Sequence, residues 1–111
     1  MNIELPSEKK ITVECRVEGG CLGPQGDDYV VGFCDFAKNE LSTWEVNLIN
    51  WEVVPRRDKS FAELQYKMLG RNLSRDQAKK YFELFGKNID EFESELDETL
   101  MVLIDEYMSK Q

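Results

Sequence analysis

From Ile89 onward, apolar residues return every three or four positions. Ile89, Phe92, Leu96, Leu100, Leu103 and Tyr107 share one helical face. This pattern predicts a helix over about 89–110. Asn88 supplies its cap, and Glu91, three residues on, stands where it can reach back to complete a capping box. Asp90, Glu91 and Glu93 crowd the first turns, where the helix dipole favours negative charge. Met101, Ile104 and Met108 widen the apolar face, but only in the C-terminal half; earlier on that flank stand Glu93 and Asp97. The extra width implies either deeper burial of that half or contact with a second chain, for which adaptable methionines are suited.

A different period governs residues 9–18. Ile11, Val13, Cys15 and Val17 alternate with Thr12, Glu14, Arg16 and Glu18, the mark of a half-buried strand. Gly19 to Asp28 reads as a loop, long enough for a hairpin connection to suggest mobility. It lacks the Lys-Ser/Thr ending and following helix of a phosphate-binding loop. Residues 29–37 and 42–49 read as a hairpin turning at Asn39-Glu40. In that register Val31 faces Leu48, Phe33 faces Val46, and Asp35 faces Trp44 on the apolar side, which makes Asp35 the candidate for a perturbed carboxylate. Past Asn50 the parity changes. A bulge there returns Trp51 to the core; without it, Trp51 is an exposed aromatic suited to anchoring a partner.

Two more helices are predicted at about 61–69 and 75–85. Ser60 with Glu63 and Ser74 with Gln77 repeat the cap spacing, and Gly70 and Gly86 supply left-handed stops. The expected fold is therefore α+β: a three-stranded antiparallel meander, then three helices packed on one face of the sheet. The 111 residues suit a single domain, 1–111.

Charge alters this picture more than composition does. The net charge is −8, unevenly spread. Residues 1–54 hold ten acids and four bases, net −6; residues 55–87 hold four and nine, net +5; residues 88–111 hold eight and one, net −7. The basic middle either neutralises the last helix or forms a patch of its own, with Arg71, Arg75 and Lys79 stepping by four. The overall sign argues against duplex DNA and is compatible with a basic protein partner.

Candidate chemistry is sparse. There is no histidine, and Cys15, Cys21 and Cys34 are an odd number without disulfide-scaffold spacing, as expected of a reduced cytoplasmic protein. No nucleophile–base pair, metal motif or cofactor motif stands out, so no enzyme activity is expected. No signal peptide or membrane span is expected either, Glu4, Pro6 and Glu8 interrupting the start. The sequence points to a small acidic protein-binding or regulatory domain, of the inhibitor or immunity-protein type. Trp51, Met101, Ile104 and Met108 are its candidate contacts, with a homodimer through the last helix. The alternative is nucleic-acid or phosphate-ligand binding through the basic segment 56–87.

Overall fold

A computed structural model describes residues 5–111, so Glu4 lies outside the described part. The fold is α+β, with a four-stranded mixed sheet and three helices. In chain order these are β1 (Ile11–Val17), α1 (Gly26–Leu41), β2 (Ile49–Pro55), β3 (Leu64–Met68), β4 (Arg71–Leu73), α2 (Arg75–Leu84) and α3 (Ile89–Ser109). The sheet order is β2-β1-β3-β4. The β1–β2 pair is parallel, and the other two pairs are antiparallel.

The expected hairpin over 29–37 and 42–49 is replaced by α1 and a run of turns. Gly26, Val30, Phe33, Cys34, Ala37 and Leu41 are the buried residues of α1, spaced at helical intervals. The stretch is so densely apolar that it satisfies a period of two as well, and the chance alternation of Val31 and Phe33 hid the helical stripe. Val31 is exposed, and so is Asp35, which therefore has no apolar strand face to sit on. A parallel pair needs a crossover, and α1 is that crossover.

The expected helix over 61–69 is also replaced. Leu64, Tyr66 and Met68 belong to β3, which turns through Leu69 (φ 53°) and Gly70 (φ 76°) into β4. Two successive left-handed residues make the tight connection that matches strand twist. Gly70 is left-handed as anticipated, but in a hairpin, not at a helix end. Ser60 caps no helix; its backbone N–H donates to the Asp58 carboxylate in a loop.

Trp51 is buried without any bulge. β2 begins at Ile49 and pairs continuously with β1, so Ile49, Trp51 and Val53 share the apolar face from the start. Trp51, Val13, Tyr66 and Leu73 form one row across the four strands. Phe82 of α2 packs edge-on to Tyr66, and Phe92 of α3 stacks on Trp51, so both helices meet this face. Phe82 and Leu96 are among the most fully enclosed side chains; each such burial contributes roughly 1.5–3 kcal/mol. The opposite face is polar. There the Glu14 carboxylate accepts from Arg16 at 2.6 Å and from Lys67 at 3.2 Å.

The loop over 19–28 is packed rather than loose. Gly19–Leu22 forms a 3-10 turn with Leu22 buried, and α1 begins already at Gly26. A Cβ on Gly26 would fall 1.6 Å from the Gly19 carbonyl oxygen, so glycine is required where the two backbones touch. Among the described residues, no helix is long and apolar enough to cross a membrane.

Candidate functional site

The α2–α3 junction is fixed at both ends. The Gly86 N–H donates to the Glu83 carbonyl and the Lys87 N–H to the Phe82 carbonyl, closing α2 in a Schellman motif with Gly86 at φ 69°. Asn88 then caps α3, its side chain accepting from the Glu91 N–H at 3.1 Å. At Ser74 both halves of the capping box form; at Asn88 the side-chain cap forms, and the Glu91 side chain lines a cleft.

That cleft, of about 310 Å³, opens between the junction and the turns before β2. Its aromatic walls are Trp44, Phe82 and Phe92. Trp44 stacks on Phe92 at 5.1 Å between centroids, and Phe92 lies 4.8 Å from Phe82. Behind them Trp51 stacks on Trp44 at 5.4 Å and donates its indole N–H to the Trp44 carbonyl at 2.8 Å. This bond holds the Trp44 backbone, and Trp44 itself is only half-buried.

Three acidic residues, Glu45, Glu91 and Glu95, also line the cleft. Glu91 and Glu95 are one turn apart on α3 and project on the same side. Glu45 comes from the turns before β2. Its backbone is left-handed at φ 50°, an uncommon state for a non-glycine residue, and its carbonyl accepts from the N–H groups of Leu48 and Ile49. Its carboxylate receives the Lys87 ammonium at 3.1 Å. The cleft lining thus combines three aromatic residues with three glutamates and one lysine.

A second cleft, of about 400 Å³, lies on the other side of α3. Val17, Phe33, Leu100, Met101 and Ile104 give it apolar walls, beside Arg16, Glu18, Glu63 and Asp97. Cys21 is exposed beside it, whereas the other two thiols are buried. Burial pushes Cys15 up to about 12 and Cys34 up to about 11, so neither is a thiolate nucleophile near neutral pH. Among the described residues, no group of three or more Cys, Asp or Glu is placed to hold a metal ion.

The residues singled out from sequence separate. Trp51 is 6% exposed and belongs to the core, so it is not a surface anchor. Met101 is 67% exposed, while Ile104 and Met108 are half-buried against the core. Arg71, Arg75 and Lys79 form no common ridge, because Arg71 lies in β4 and the other two in α2. Arg75 is engaged with Asp90 and, at 3.0 Å, with Glu93. Among the described residues, Arg71, Lys79 and Lys80 make no ion pair. Trp44, Glu45, Lys87, Glu91 and Glu95 were missed as a group. The one signal available was Glu91 and Glu95 at i and i+4 flanking Phe92.

Compared with protein-family models, curated proteins and solved structures, the chain matches none.

Proposed function

We propose that the chain is an acidic protein-binding module, without catalytic chemistry, that engages a basic protein partner. One observation carries this reading: a cleft lined by Glu45, Glu91 and Glu95 together with Trp44, Phe82 and Phe92, on a chain of net charge −8. Clustered carboxylates speed encounter with a cationic surface, and the half-buried Trp44 side chain gives the contact its apolar content. The basic middle segment leaves this acidic surface largely in place. Arg56 pairs with Glu18 and Glu63, Lys67 with Glu14, and Arg75 with Asp90 and Glu93, all outside the cleft; of the segment's bases, Lys87 alone reaches one of its three glutamates.

The alternative, phosphate or nucleic-acid binding through residues 56–87, draws support from the exposure of Arg71, Lys79 and Lys80. Two columns distinguish the readings. Retention on an immobilised cationic polypeptide, falling as salt rises and weakened by joint Glu91→Gln and Glu95→Gln substitution, is the expected result. Retention on heparin or single-stranded nucleic acid, lost in Lys79→Gln with Lys80→Gln, would favour the alternative.

A further inference from the structure

We propose that the cleft receives the guanidinium of an arginine on that partner, and that Lys87 is the resident cation the arginine displaces. This rests on the acidic-module reading above. Four features of the site point to one side chain of this kind. The cleft's volume of about 310 Å³ is at the low end for ligand sites, room for a single head group rather than a large cofactor. Its acidic residues come from two segments, Glu45 from the turns before β2 and Glu91 with Glu95 from α3. A planar group with five N–H donors can serve both segments at once, whereas an ammonium is a compact point charge. The half-buried Trp44 ring, backed by Phe92, offers a surface on which a weakly hydrated guanidinium stacks. Lastly, Lys87 already places a cation at the Glu45 side, at 3.1 Å. Its side chain is 45% exposed while its backbone is held by the Schellman bond, so the ammonium can swing away with the junction unmoved.

The test uses the full chain and two unstructured peptides of Arg, Gly and Ser, one with every Arg replaced by Lys. Affinity is read by calorimetry, and the two indole N–H resonances are followed by NMR. The expected result is about tenfold tighter binding of the Arg peptide, with the Trp44 resonance shifting. Glu91→Gln with Glu95→Gln should weaken the Arg peptide about tenfold. Asp105→Asn with Glu106→Gln, which removes the same charge from the far end of α3, should change it less than about twofold. Lys87→Gln should strengthen it severalfold. Equal affinity for the two peptides, or equal losses in the two charge variants, overturns the arginine site while leaving a general acidic binding surface standing. Failure of both peptides to bind removes the acidic-module reading, and the arginine site with it.

Discussion

Tyr66, in the middle of the sheet, donates its hydroxyl to the Glu93 carboxylate of α3 at 2.6 Å. Glu93 in turn receives the Arg75 guanidinium of α2 at 3.0 Å, so one carboxylate ties three elements together. Tyr66→Phe leaves the packing on Phe82 intact and removes one bond to a charged acceptor. The expected loss is about 1.5–3 kcal/mol of unfolding free energy. Urea denaturation checks it; an unchanged midpoint would show that Arg75 alone satisfies Glu93.

Several buried groups hold their protons more tightly in the folded chain than ordinary thiols and phenols do. Burial raises Cys15, Cys34, Tyr66 and Tyr81, and for Tyr66 the bond to Glu93 raises it further. The unfolded chain loses these protons first, so it binds fewer protons than the native state at alkaline pH. Above neutral pH, stability is therefore expected to hold until about pH 8 and then to fall as the ordinary thiol and phenol values are passed. Denaturation midpoints measured across that range would show it, and a midpoint rising with alkalinity would contradict it.

Gly26→Ala is expected to be severely destabilising, because the added methyl meets a backbone oxygen that cannot rotate away. Gly32→Ala is a milder case. Its methyl would lie 2.3 Å from the Tyr107 hydroxyl, the end of a half-buried side chain that rests on Phe33 and Phe36. Tyr107→Phe should restore much of the loss, since it removes the oxygen the methyl meets. Thermal melts of both glycine variants and of the Gly32→Ala, Tyr107→Phe pair give the comparison.

Self-association through α3 is expected to centre on Met101, the most exposed of its apolar side chains, with Ile104 and Met108 behind it. Ile104→Glu would damage the core as well as any contact. Met101→Glu is the cleaner change, and it should turn a dimer at high micromolar concentration into a monomer in sedimentation runs. A wild-type monomer at that concentration rules the contact out.

What could be read from sequence was what depended on local signals. Asn88 and Ser74 cap the helices they were expected to cap, because capping is decided within four residues. The strand at Ile11–Val17 follows from clean alternation with charges between. The errors fell where two periods fit equally well. Gly26–Leu41 has apolar residues to spare, so strand and helix templates both match, and only the sheet partner of Ile49–Pro55 selects the helix. At Leu64, Tyr66 and Met68 the alternation of a strand competes with the cap spacing of Ser60 and Glu63 and the Gly70 stop, which also fit a helix. The cleft was invisible for the same reason: its wall at Trp44 and Glu45 depends on a turn that replaces an expected strand.

The parallel pairing of β1 with β2 also has a kinetic consequence. No turn can zip these strands together; the whole stretch between Val17 and Ile49 must first be looped back, at an entropic cost the β3–β4 hairpin never faces. Pairing of β1 with β2 is thus expected to follow closure of the β3–β4 hairpin. The Trp51 indole that bonds the Trp44 carbonyl is carried by β2, so the aromatic wall of the cleft is expected to settle with that pairing. A chain caught before that step would lack the wall on which the proposed arginine contact depends.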